Sequence, residues 1–209
     1  MIYKNGIVKG TEFNESYANF TVQGSLNIED NIVSGFSKSN YITIPNMSFG
    51  SSTWDVYLSV KTASDINTNQ GILSFSSGYT FGFVIAEGDC LISLGEGGSS
   101  FSIGEKRVAI TVNTSYDFKI SFDGTAYTLS ILENGIYVIK GTINSSTKLP
   151  LNLGTMRVGL HRHGNSFFLG MFDLSKFSIV VGGKTIYSPA VNKASISDYQ
   201  TTSTEFYEI

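Results

Sequence analysis

Residues 116–141 read YDFKISFDGTAYTLSILENGIYVIKG. Phe118, Ile120 and Phe122 alternate with Asp117, Lys119 and Ser121, the period of a strand with one apolar face. Asp123-Gly124 then offers the positive-φ positions that a tight hairpin turn needs. A second strand follows with Tyr127, Leu129 and Ile131 on one face, Asn134-Gly135 repeats the turn chemistry, and Ile136 to Lys140 closes a three-strand antiparallel meander.

The same pattern extends in both directions. WDVYLSVKT (54–62) sets Trp54, Val56, Leu58 and Val60 on one face and Asp55, Tyr57, Ser59 and Lys61 on the other. GILSFSSGYTFGFVIAEGDCLISLGEGG (71–98) reads as three strands cut at Ser77-Gly78 and Gly88-Asp89. In GMFDLSKFSIVVGGKTIY (170–187), Phe172 and Leu174 alternate with Asp173 and Ser175; the pattern then breaks and resumes as Phe177, Ile179 and Val181. This predicts two short strands, with Gly182-Gly183 turning the second into Lys184–Tyr187. No stretch sustains a 3.6-residue period beyond a turn or two. A dozen or so short strands imply an all-β, two-sheet antiparallel sandwich or jelly roll, with an open barrel as the structural alternative.

Composition agrees. The 209 residues are 41% apolar and 15% charged, enough for one main domain, and 15 Phe, 11 Tyr and 22 Gly against 3 Pro suit strands joined by tight turns. The net charge of −3, with Lys and Arg scattered, leaves no electrostatic footprint for nucleic acid or an anionic membrane surface. The single Cys90 excludes an internal disulfide and a cysteine-based zinc site, and its apolar run predicts a buried thiol. The N-terminus lacks the basic start and long apolar stretch of a secretory signal, and no run approaches the roughly 18 apolar residues of a membrane span.

Four blocks, FTVQGSLNIEDNIVSGFSKSNYITIP (20–45), STWDVYLSVKT (52–62), KISFDGTAYTLSI (119–131) and FFLGMFDLSKFSIVVGGKTIY (167–187), together resemble the concanavalin A-like, laminin G-like jelly rolls of bacteriophage virion proteins (tail, fibre or capsid-associated). The resemblance covers residues 20 to 188. It implies two curved antiparallel sheets, with the N-terminal strand and FDLSKFSIVV near one sheet edge, and a domain used for binding or for building a particle surface. It also implies a concave face or rim where lectin members bind sugars and some members hold calcium; no other cofactor is expected.

The glucan-cutting enzymes of that superfamily carry E-x-D-x-x-E on one strand, as retaining hydrolysis requires. Nothing here matches: Glu87 and Asp89 flank a glycine, and Glu96 and Glu105 are isolated. No catalytic residue is assigned, and the chain is expected not to be an enzyme. GEGGSS (95–100) lacks the Lys-Ser/Thr of a phosphate loop.

LHRHGNS (160–166) gathers both histidines with Arg162 and Asn165. His161 and His163 point the same way on extended backbone, which leaves three readings: a solvated polar loop, a sugar or partner contact, and a metal site. The last lacks a third ligand nearby, and no metal is assigned. Trp54 is expected in the core. Tyr57, on the opposite face of its strand, and Tyr79, at the Ser77-Gly78 turn, are better placed for a ligand. The candidate ligand-binding set is therefore Tyr57, Tyr79, His161, Arg162, His163 and Asn165.

Outside the resemblance, residues 1–19 and 189–209 read as terminal arms. They share T-E-F-x-E at Thr11–Glu15 and Thr204–Glu208, with Phe13, Phe206 and Tyr207 as candidate assembly anchors. The expected function is a non-enzymatic bacteriophage structural protein located in the virion. Its expected partners are other virion proteins or further copies of itself, and a cell-surface polysaccharide. The alternatives are a soluble bacterial carbohydrate-binding module and a jelly-roll glycosidase.

Overall fold

The computed structural model describes residues 2–3, 7–8, 20–47, 49, 53–75, 80–95, 102–144, 154–161 and 163–187. Among them the strands are β1 (Ile2–Tyr3), β2 (Ile7–Val8), β3 (Thr21–Gln23), β4 (Asn27–Glu29), β5 (Ile32–Ser34), β6 (Tyr41–Met47), β7 (Trp54–Lys61), β8 (Gln70–Phe75), β9 (Thr80–Ala86), β10 (Asp89–Gly95), β11 (Ser102–Ala109), β12 (Ser115–Phe122), β13 (Ala126–Glu133), β14 (Ile136–Asn144), β15 (Gly154–Val158), β16 (Met171–Val181) and β17 (Lys184–Tyr187). No helix occurs among the described residues.

Two antiparallel sheets face each other across one core, in the order β11-β10-β9-β8-β15-β6-β3 and β14-β13-β12-β7-β16-β5-β4, with β17 added beside β16. Long crossovers place β7 between β12 and β16, and β15 between β6 and β8. The chain is an all-β jelly-roll sandwich, and the two separate sheets replace the open-barrel alternative. Among the described residues β1 and β2 pair with each other alone, so Tyr3 belongs to a two-residue strand within the segment read as an arm.

The meander forms as its alternation predicts. Asn134 and Gly135 take φ of 51° and 81° in a two-residue turn. The β12–β13 turn is held by Asp123, whose carboxylate accepts the N–H groups of Thr125 and Ala126 and the Thr125 hydroxyl, each at 2.8 Å. These bonds, led by the Thr125 N–H, hold the Asp123 pKa below the ordinary carboxylate value.

Inward residues of the two sheets meet in an aromatic core. Trp54 is buried, its ring 4.9 Å from Phe49, 5.8 Å from Phe81 and 5.9 Å from Tyr127. Cys90 is buried in the same core, and desolvation pushes its thiol pKa well up, away from reactivity. Tyr187, 2% exposed, packs against Phe177 with ring centroids 5.3 Å apart. Its hydroxyl has no hydrogen-bond partner among the described residues, and burial raises its pKa.

Two expectations change. Residues 171–181 form one strand, β16, rather than two; Asp173 pairs with Ser59 and Ser178 with Tyr57, so four residues, Leu174 to Phe177, stand opposite Leu58 alone. The break in alternation is a large, irregular bulge inside a continuous strand, and it lets Phe172, Leu174, Phe177 and Ile179 all point inward. At the other end of the chain, it is β5 that pairs with β16, whereas β3, two strands earlier, joins the opposite sheet beside β6.

Candidate functional site

Alternation along β7 that buries Val56, Leu58 and Val60 turns Asp55, Tyr57, Ser59 and Lys61 to the outward face of the eight-stranded sheet. Register then decides what stands beside them. Ser59 is opposite Asp117 of β12 on one side and Asp173 of β16 on the other; Asp173 is opposite Ile32 of β5, and Ile32 is opposite Glu29 of β4. One row thus runs Asp117, Ser59, Asp173, Ile32, Glu29 across five strands, spanning about 19 Å at the usual strand spacing.

A groove of about 610 Å³ opens over this row, lined by Ser59, Lys61, Asp117, Leu132, Asp173 and Lys176 among others. A second hollow of about 540 Å³, lined by Asn27, Glu29, Asp30 and Ser34, shares Ile32 and Met171 with it, so the two form one trough. Met171, 44% exposed, supplies an apolar wall. Ser59 forms the floor: the residue is only 7% exposed, and its hydroxyl has no hydrogen-bond partner among the described residues.

The bulge in β16 shapes the trough. It carries Lys176 back across β7 to Asp117, where the amine donates to both carboxylate oxygens at 3.2 and 3.1 Å. Asp173, at the bulge entrance, accepts the N–H and hydroxyl of Ser175 at 2.9 and 2.6 Å. Glu133 at the rim is paired with Lys140 at 2.6 Å.

Tyr57 is two residues along β7 from Ser59 on the same face. Its ring lies 5.6 Å from Tyr137, edge-on, and 5.3 Å below the Lys119 amine, which is paired with Asp55 at 3.1 Å. Burial pulls the Lys119 pKa down, but the hydrogen bond and charge of Asp55, aided by Tyr57, outweigh it and hold it above the ordinary value. Burial, then the charge of Asp117, raises the Tyr137 pKa. Tyr57 therefore stands beside the trough, in a cluster of rings and paired charges.

The histidine loop is built differently. The His161 N–H donates to the Ser166 carbonyl at 2.7 Å and Gly164 N–H to the His161 carbonyl at 2.8 Å, closing a tight turn over the Leu160–Phe167 bridge. The His161 and His163 rings lie 5.1 Å apart, and the His163 N–H donates to His161 Nδ1 at 3.4 Å. The loop sits on β8 of the seven-stranded sheet, where a Cβ on Gly71 would fall 2.3 Å from the His161 nitrogen. Asn165 lies in this turn. The structure thus separates the candidates: Tyr57 belongs to the trough face of one sheet, and His161, His163 and Asn165 to a turn against the other. Tyr79, Arg162, Phe13, Phe206 and Tyr207 lie outside the described residues, as does 189–209.

Sequence reasoning missed Ser59, Asp117, Asp173, Glu29 and Lys176. The break after Ser175 in an otherwise regular strand was the available signal.

No family model and no curated protein matches the sequence. Solved structures do match in fold. One is botulinum neurotoxin type C, whose cell entry depends on interaction with two ganglioside molecules; it is 9% identical with a TM-score of 0.58, covering 90% of this chain and 47% of that one. The enzymatically active domain of bacteriophage CBA120 tailspike protein 2 is 13% identical with a TM-score of 0.55, covering 91% and 31%. Mouse laminin α1 domains LG4-5 are 11% identical with a TM-score of 0.50, covering 85% and 48%. The chain spans less than half the length of each, and at these identities the likeness shows the fold alone.

Proposed function

We propose that this jelly roll is a non-enzymatic glycan-binding domain whose ligand lies along the trough from Asp117 to Glu29. The observation that carries the reading is the open trough with a polar floor: a Ser59 hydroxyl without a hydrogen-bond partner among the described residues, set between two carboxylates, with the apolar surfaces of Met171 and Ile32 beside them. Sugar rings present this combination of hydroxyl edges and apolar faces, and a row across five strands suits an oligosaccharide rather than a single ring. A fold neighbour that depends on gangliosides supports the same class of ligand. Binding on a glycan array, followed by calorimetry, tests it. Ser59→Val should lose the best ligand while His161→Ala with His163→Ala keeps it. The reverse result moves the site to the loop at 160–166, and an array without hits overturns glycan binding.

The finer reading is a bacteriophage virion protein that displays this domain on the particle. It is supported by the resemblance of the four sequence blocks and by the tailspike domain among the fold neighbours. Its partners would be virion proteins or further copies of itself, docked through the terminal segments with Phe13, Phe206 and Tyr207. Mass spectrometry of purified particles should find the chain, and deletion of residues 189–209 should abolish its incorporation. Absence from the particles leaves the carbohydrate-binding module as the reading.

A further inference from the structure

The charge of the trough narrows the ligand, on the reading that the trough binds saccharides. Along its walls Lys176 is taken up by Asp117 and Lys140 by Glu133. Asp173 is engaged by the N–H and hydroxyl of Ser175, not by a cation. Glu29 and Asp30 continue the wall beyond Ile32 and have no ion-pair partner among the described residues. Among the described residues of the trough, three carboxylates, Asp173, Glu29 and Asp30, therefore stand against a single unpaired lysine, Lys61.

From these groups we infer that the trough takes a glycan carrying protonated amines, an oligomer of non-acetylated hexosamine, and rejects uronate- and sialate-bearing chains. A protonated amine placed over Ser59 finds two acceptors, the Asp173 carboxylate and the Ser59 hydroxyl, and forms charge-assisted hydrogen bonds with the first. An acidic sugar in the same place meets Asp173, then Glu29 and Asp30, against one available cation, Lys61, and gains a second only by drawing Lys176 away from Asp117. Position reinforces charge. Asp173 and Glu29 lie two strands apart in the row, about 10 Å. A β-1,4-linked chain turns over at every ring, so amines on one side recur at every second ring and meet successive carboxylates. Asp117, two strands to the other side of Asp173, already holds Lys176 in the position such an amine would take.

Calorimetry with three matched probes tests the inference: an oligomer of β-1,4-linked glucosamine, the same oligomer fully N-acetylated, and an oligogalacturonate. The glucosamine oligomer should bind at least about tenfold more tightly than its acetylated counterpart, with the advantage shrinking as salt is added, and the oligogalacturonate should not bind. Asp173→Asn should remove the advantage, bringing the glucosamine oligomer down to the affinity of its acetylated counterpart. Glu29→Gln with Asp30→Asn gives the same readout without touching the bulge. Equal or tighter binding of the acetylated or acidic oligomer overturns the charge inference while the saccharide site stands. Failure of all three probes, together with an array lacking hits, overturns both.

Discussion

The inward and outward faces of β7 come from alternate residues of one eight-residue strand, yet they are assembled by different rules. Trp54, Val56, Leu58 and Val60 need only be apolar and close to the right size, because anything inward of that sheet meets the same aromatic core. Tyr57 and Ser59 acquire meaning only through what register sets beside them: Lys119 and Ser178 for the first, Asp117 and Asp173 for the second. Burial is a property of the strand, whereas a site is a property of the row. The two faces should therefore respond to substitution in opposite ways, the inner through stability and the outer through binding.

The largest effect belongs to the inner face. Trp54→Ala removes a ring that touches Phe49, Phe81, Phe122 and Tyr127, and it should cost about 3–5 kcal/mol in urea denaturation. Ser59→Ala, two to three turns of the pleat away on the other face, should stay within about 0.5 kcal/mol. Equal losses at the two positions would break the comparison.

Tyr187 is the place where the inner face departs from its own rule, since it buries a hydroxyl that nothing among the described residues satisfies. Tyr187→Phe keeps the packing on Phe177 and removes the unpaired group, so it should stabilise the fold by about 1 kcal/mol. A destabilised variant would show that the hydroxyl has a partner in solution.

These faces were unequally legible in the sequence. Period-2 alternation placed Trp54 and the meander correctly because each depends on which side of a strand a residue falls, and an apolar run was enough to bury Cys90. It could place Tyr57 outward but could not bring Asp117 and Asp173 together, because they are 56 residues apart and meet only through pairing with Ser59. The histidine loop drew attention because its residues are adjacent in sequence, which is also why it was visible. The bulge was visible as a break, but reading it as a strand end hid Lys176, whose reach to Asp117 requires the strand to continue.

Lys176→Ala sharpens the contrast from the outer side. The ion pair with Asp117 is more than half exposed at the lysine, so losing it should shift stability by less than about 1 kcal/mol. On the reading proposed above it also frees the Asp117 carboxylate, so binding of an amine-bearing oligosaccharide should rise while folding hardly changes. A large fall in denaturation midpoint would instead make the bulge a structural clamp.

The smallest effect lies at the meander turn, and pH isolates it. Asp123 is exposed, and the hydrogen bonds from Thr125 and Ala126 lower its pKa in the folded chain below the ordinary 3.8. Its carboxylate therefore contributes stability that is complete above the unfolded-state pKa and is lost as pH falls through the folded-state value. Asp123→Ala should melt slightly below the parent at neutral pH, and the gap should close on acidification below the ordinary carboxylate range, where the parent's own carboxyl is protonated. Asp65, which caps Asn67 and Thr68 in the same manner, is present in both chains and cancels in the difference. A gap that persists unchanged in acid would show that the variant suffers from altered turn geometry at Gly124, φ 100°, and not from a missing negative charge.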